Sequence, residues 1–275
     1  MNATMLTDGF RLNAVANTTL KMAARFWFVV AVFGQLAFAF YVAAFYGGSV
    51  AHGDWLAWNK VLPHGYVEGH TMGNIAIAVH LLLAFIITVG GPLQLIPQVR
   101  AHYPVFHRWN GRVYLLTALI MSTTGLYLTL SGRTQVGDTS QHIAVCINAI
   151  LIILCAGMAL RYALARDFKT HRRWALRLFL VVSGVWFFRV GLMLSFVIFQ
   201  RPFGFDPKTF AGPFLTLLGF AQYLLPLAVL EIYLRTQDRA GAPGRLAMAT
   251  GLLVLTIAMG IGIFAAIMGM WLPRI

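Results

Sequence analysis

The chain has 275 residues, 59% of them hydrophobic and only 11% charged, with a mean hydropathy of +0.75. No soluble globular domain of this length can carry that composition on its surface, so the sequence describes an integral membrane protein. The net charge of +13 would suggest a nucleic-acid partner in a soluble protein, but here the cations flank apolar runs, and nucleic acid is excluded.

Residues 1–22 are polar, show no hydrophobic period and read as a short cytoplasmic segment. Seven apolar stretches follow, centred in Phe26–Tyr46, Gly73–Ile96, Val113–Leu130, His142–Leu160, Trp174–Phe199, Phe214–Leu234 and Leu246–Trp271. Each is long enough to cross a hydrocarbon core of about 30 Å. Near-continuous Leu, Ile, Val, Phe and Ala predict helices, because barrel strands would alternate over about ten residues. The first run is longer than a signal-peptide core and has no clean small-residue cleavage site after it, which makes it a retained helix.

Between the first two stretches lies the longest connection, Gly47 to Met72. Trp55 and Trp58 suit the headgroup level, and His52, Asp54, His64, Glu68 and His70 could cap an outer site or hold a metal there. Pro92 and Pro97 are expected to close the second span. Asp138, Thr139 and Ser140 offer a helix cap before the fourth, and Pro226 a kink in the sixth. Gln237 to Gly244 reads as a linker to a detachable last helix, residues 246–272, peripheral to the rest, whose Gly260, Gly262 and Gly269 suit close helix packing. The whole chain, 1–275, is one membrane domain.

With the amino terminus assigned to the cytoplasm, fifteen of the 21 Lys and Arg fall inside and five outside, and Arg189 alone remains within a span. That asymmetry over short loops is the positive-inside signal and gives an amino terminus in and a carboxyl terminus out. Cys146 and Cys155 stand nine residues apart on one helix, about 13.5 Å along its axis, too far for a mutual disulfide.

One arrangement occurs twice. A histidine near the outer end of an apolar helix is followed by a His-Arg pair at that helix's inner exit: His80 with His107-Arg108, then His142 with His171-Arg172. His80 and His142 are 62 residues apart and His107 and His171 are 64 apart, a spacing that an internal duplication of residues 73–200 would leave. Ionisable groups inside a bilayer are functional candidates by default. Neutral imidazoles from facing helices suit a low-spin b-type haem, with arginines neutralising its propionates. A plainer origin stays open for each: a histidine bonded to a neighbouring helix, or basic and aromatic residues anchoring a boundary. Arg189 follows His171 by eighteen residues, five turns of a straight helix, so both would share a face about 27 Å apart. It needs an anion there, a haem propionate or an anionic substrate.

His80, the run from His107 through Arg-Trp-Asn-Gly-Arg-Val-Tyr and the run from His171 through Arg-Arg-Trp-Ala-Leu-Arg resemble an uncharacterised bacterial family of multipass membrane proteins, domain of unknown function 2306. The likeness covers roughly residues 73 to 200. More faintly, the chain resembles transmembrane di-haem b-type cytochromes reduced by ascorbate or quinols. That second resemblance implies pairing of His80 with His142 and of His107 with His171, one haem in each leaflet.

The expectation is an all-α integral membrane protein of the bacterial inner membrane. It has seven transmembrane helices, the second to fifth forming a four-helix core built as an internal repeat. Its expected role is haem-b electron transfer with one or two haems per chain, a quinol or other small reductant as donor, and His80, His107, His142, His171 and Arg189 as site residues. Two alternatives remain: a transporter or lipid- and anion-binding protein, and a non-catalytic membrane scaffold.

Overall fold

The computed structural model describes residues 3–62, 65–130 and 137–275, without the side chains of 3–10, so His64 and Arg133 lie outside it. All of its long elements are helices. Helix α1 (Ala3–Tyr41) continues through a π-turn (Val42–Gly47) into α2 (Gly48–Ala51), and a 3₁₀ turn, Trp55–Lys60, leads to α3 (Thr71–Leu95). Then come α4 (Pro97–His102), α5 (Pro104–Leu130), α6 (Thr139–Leu164), α7 (Phe168–Val182), α8 (Gly184–Phe199), α9 (Pro213–Arg239) and α10 (Ala242–Ala266). Among the described residues, six helices are long and apolar enough to cross a membrane, and α7 with α8, bent by 53°, makes a seventh if the pair is one span.

Short connections between apolar runs make successive spans antiparallel, which gives the bundle two chemically distinct ends. At the aromatic end, Trp271 lies against Phe38 and Tyr41, with ring centroids 5.4 and 6.4 Å apart. Trp58 is buried beneath them and its Nε1 donates to the Tyr46 carbonyl. At the basic end, Arg177 reaches Glu231 and Arg173 reaches Asp238, both at 2.7 Å, tying α7 to α9. Capping follows the sequence. Asp138 accepts from the Gln141 N–H to open α6, and Asp167 accepts from the Thr170 N–H to open α7. Pro92 does not close its helix as expected, since α3 runs on to Leu95, and Pro226 sits inside α9 without ending it.

The sharp bend falls at Ser183, where no proline stands. Ser183 Oγ accepts from Gln35 Nε2 at 2.8 Å and donates to the Phe179 carbonyl at 2.7 Å. Gly184, a poor helix former, follows it. A break of this kind leaves the last carbonyls of α7 and the first N–H groups of α8 without intrahelical partners. Polar side chains gather there: a Cβ on Gly184 would meet Asn148 Nδ2 at 3.0 Å and Gln222 Oε1 at 3.6 Å, and Asn148 and Gln222 are both buried. The bend also overturns the straight-helix expectation for His171 and Arg189, which lie on opposite sides of it.

Two main cores form. One joins α1, α8 and α10 near the aromatic end through Ala31, Tyr41, Trp186, Val190, Met259, Ile263 and Trp271. The other is an apolar layer inside the α3, α5, α6 and α7 group, made by Ile87, Tyr114, Ala118, Cys155, Ala156, Leu178 and Val181, with Tyr223 from α9. The last helix lies outside that group, yet it is neither loose nor peripheral to the fold. It packs along α1 and α8, and at Gly262 a Cβ would come within 2.6 Å of the Val190 carbonyl. Only glycine permits that approach.

Candidate functional site

Helix α3 packs on α5, α5 on α6 and α6 on α7. The circuit closes where Gly91 of α3 meets the Phe179 ring of α7, whose carbons would stand 3.2 and 3.3 Å from a Cβ at that glycine. Consecutive helices are therefore neighbours, leaving α3 opposite α6 and α5 opposite α7. All four sequence-derived histidines lie on this group.

Their register follows one rule. His80 precedes Ile87 by seven residues, His107 precedes Tyr114 by seven and His171 precedes Leu178 by seven, and each of those later residues belongs to the apolar layer. Seven residues are two turns, so each histidine shares a face with its core residue about 10 Å along the axis. His142 likewise precedes buried Ala149 by seven. Because α6 enters the layer only at Cys155, thirteen residues on, His142 stands about 20 Å from it. His80 and His142 are thus unequal in depth, whereas His107 lies close to His171 and to Arg100 at the basic end.

The imidazoles are half-buried and little used. His171 Nδ1 donates to the Ala159 carbonyl on α6 at 2.8 Å. A carbonyl only accepts, so the neutral ring carries its proton on Nδ1 and keeps a lone pair on Nε2. His107 Nδ1 and His142 Nε2 are buried without a hydrogen-bond partner, and His80 makes no side-chain hydrogen bond among the described residues. The plainer origin, histidines bonded to neighbouring helices, therefore holds for His171 alone. No three His, Cys, Asp or Glu side chains among the described residues gather to hold a metal ion, so His52, Asp54, Glu68 and His70 do not form a centre together.

Polar contacts that the sequence did not single out fix the basic end. Gln94 Nε2 donates to the His107 carbonyl at 3.0 Å and Asn110 Nδ2 donates to the Gly90 carbonyl at 2.9 Å, linking α3 to α5 beside His107. Asn110 stands one turn after His107, a spacing readable in the sequence once the helix is known. The two His-Arg segments also repeat a contact: Arg112 lies over Trp109 at 4.8 Å, and Arg177 over Trp174 at 4.7 Å. At the connection between α6 and α7 the Thr170 hydroxyl and N–H hold the Asp167 carboxyl below the usual carboxylate range.

Arg189 faces elsewhere. It shares a side of α8 with Trp186 and Val190, residues of the α1–α8–α10 core, and its guanidinium lies over the Phe38 ring at 5.3 Å. On α3 the residues meeting that core are Ile77, Ala78, Leu81 and Phe85, while His80 shares the opposite-leaning face with Ile87. The expected union of Arg189 with the histidine site is therefore not made.

The chain matches the model of a family described as "Predicted membrane protein (DUF2306)" over residues 77–225. It belongs to this family. The matched segment runs from α3 into α9 and contains all four histidines and Arg189, while α1 and α10 lie outside it. No curated protein and no solved structure matches the DUF2306 chain, so the fainter likeness to di-haem cytochromes gains no support.

Proposed function

We propose that this DUF2306 protein holds haem b non-covalently within the α3, α5, α6 and α7 group and passes electrons across a bacterial inner membrane. The observation that carries the reading is the state of the four imidazoles. Three have no hydrogen-bond partner among the described residues and the fourth uses only Nδ1. A polar ring in an apolar bundle is costly unless its free nitrogen binds something. His171 has the habit of a metal-ligating histidine, whose second nitrogen donates to a carbonyl.

His107 and His171, from facing helices, would hold one haem at the basic end. Arg108, Arg112 and Arg172 are near in sequence to meet its propionates. His80 and His142 would hold a second only if helix tilt absorbs their difference in depth. Bound haem supplies a one-electron carrier. The chain's own part is to orient the imidazoles and to exclude water with the layer of Ile87, Tyr114, Ala118 and Leu178. The likeness of the two His-Arg segments supports an internal duplication. The fifteen cations of the basic end support its facing the cytoplasm, with the amino terminus in, the carboxyl terminus out and a quinol or other small reductant as donor.

The test is a reduced-minus-oxidised spectrum of the purified full chain, with pyridine haemochrome quantitation. The expected result is a bis-histidine b-type spectrum at one or two haems per chain, with the basic-end signal lost in His171→Ala and in His107→Ala. Colourless protein from haem-sufficient cells, or a spectrum indifferent to all four histidines, overturns the reading.

A further inference from the structure

Among the described residues, the ion pairs are Arg173 with Asp238 and Arg177 with Glu231, both at the basic end. Arg189 has no such partner. Its hydrogen bond goes from Nη1 to the Val185 carbonyl on its own helix, at 3.2 Å, and its charge rests on the Phe38 ring. A cation–π contact and one carbonyl leave most of the five guanidinium donors unused.

Among the described residues, what surrounds Arg189 is rich in donors and offers it no carboxylate ion pair. Tyr41 and Tyr46 lie within electrostatic reach of it, and so does a second cation, Arg274. Tyr41 stacks on Trp271 and meets Tyr46 edge-on, with centroids 6.4 and 6.1 Å apart. Trp271 is 2% exposed, and its indole Nε1 is buried with no hydrogen-bond partner. Trp186, 4% exposed and one turn before Arg189, also has an unpartnered Nε1. An indole N–H and a guanidinium only donate. Two cations within reach of each other, beside unpaired indole donors, are stabilised by an oxyanion between them.

We propose that Arg189, with Arg274, Tyr46 and Trp271, forms a phosphate-binding site between α1, α8 and α10, filled by the headgroup of an anionic phospholipid. The site is independent of the histidines. It joins Arg189, within the family match, to α1 and α10, which lie outside it. The guanidinium fork suits two phosphate oxygens at once, which a lysine ammonium does not. The chain's aromatic end would thus keep one bound lipid as part of its structure, linking its first and last helices.

The full-length protein is exchanged into phosphatidylcholine nanodiscs with or without phosphatidylglycerol, and separately into phosphatidylcholine nanodiscs with inorganic phosphate. Retained lipid is read by native mass spectrometry and stability by Tm. Wild type is expected to keep phosphatidylglycerol and to gain Tm from it. Arg189→Gln should lower retention about tenfold. Arg189→Lys should fall between the two, and Arg274→Gln, at an exposed position, serves where Arg189→Gln does not fold. Inorganic phosphate that raises Tm in wild type but not in the variants supports the same site with a soluble phosphate as occupant. Equal retention and equal Tm response across wild type and all three variants, or no response of wild type to either anion, overturns the proposal. The visible spectrum of Arg189→Gln should match wild type, which separates this site from the haem reading.

Discussion

The two ends of the bundle are held by different chemistry. At the basic end, directed polar contacts join the helices: Arg177 to Glu231, Arg173 to Asp238, Gln94 to the His107 carbonyl, Asn110 to the Gly90 carbonyl and His171 to the Ala159 carbonyl. At the aromatic end the corresponding work is done by stacked rings and by close backbone approach at Gly262, while the Arg189 guanidinium bonds only a carbonyl of its own helix and two indole N–H groups go without protein acceptors. A buried polar group left open costs free energy in proportion to its isolation. The comparison teaches that the basic end is tied by polar bonds from helix to helix, although His107 Nδ1 stays open within it, whereas the aromatic end is held by ring and backbone packing with its indole donors left open.

The sharpest way to break the aromatic half is Gly262→Val. Its Cβ would strike the Val190 carbonyl, a backbone atom that cannot swing away, and α8 and α10 must separate. Overpacking of this kind costs about 1–3 kcal/mol or more, and the expected result is a clearly lowered Tm with loss of α10 protection in hydrogen exchange. An unchanged Tm would show that the two helices are not so closely seated. For the basic half, Glu231→Ala removes the partner of Arg177, a pair only partly covered, at 20% and 38% side-chain exposure. A charge-assisted hydrogen bond is worth about 1.5–3 kcal/mol, and solvent screening brings the expectation toward the lower figure. Thermal denaturation measures it, and the loss should be partly restored by Arg177→Met, which removes the stranded charge. The smallest effect belongs to Asp167. Its folded carboxyl titrates below its unfolded value because Thr170 bonds the anion, so its contribution is complete above the ordinary carboxylate range. That contribution is lost as pH falls through the lowered folded value. Hydrogen exchange at Thr170 should accelerate at acid pH in wild type and be fast at all pH values in Asp167→Ala.

The helical architecture was legible because a bilayer demands about twenty apolar residues per span, and hydropathy records that demand directly. The histidines were legible for the same reason, as polar residues in apolar runs. Their common rule, two turns before a buried residue, was also present in the sequence, but the identity of Ile87, Tyr114 and Leu178 as one layer needed the packing. The break at Ser183 was not legible. Ser183 there is bonded by Gln35, 148 residues earlier, and Asn148 and Gln222 from two other helices lie beside Gly184, whereas the local run reads as one long apolar span. The straight-helix link from His171 to Arg189 failed there for that reason. The last helix misled in the opposite sense: its Gly-Pro linker suggests detachment, while what anchors it is a glycine facing a carbonyl of α8, and hydropathy does not register such a contact.

The break has a consequence for how the chain enters the bilayer. Helices α7 and α8 have 15 and 16 residues, about 23 and 24 Å of rise, each short of a hydrocarbon core of about 30 Å. Neither half spans that core alone, and the break between them is buried in the bundle at Ser183 and Gly184. By the time Ser183 leaves the ribosome, Gln35 of α1 and Asn148 of α6 have already been synthesised, and only Gln222 of α9 is still to come. The partner that bonds Ser183, Gln35 of α1, is therefore already made when the break emerges.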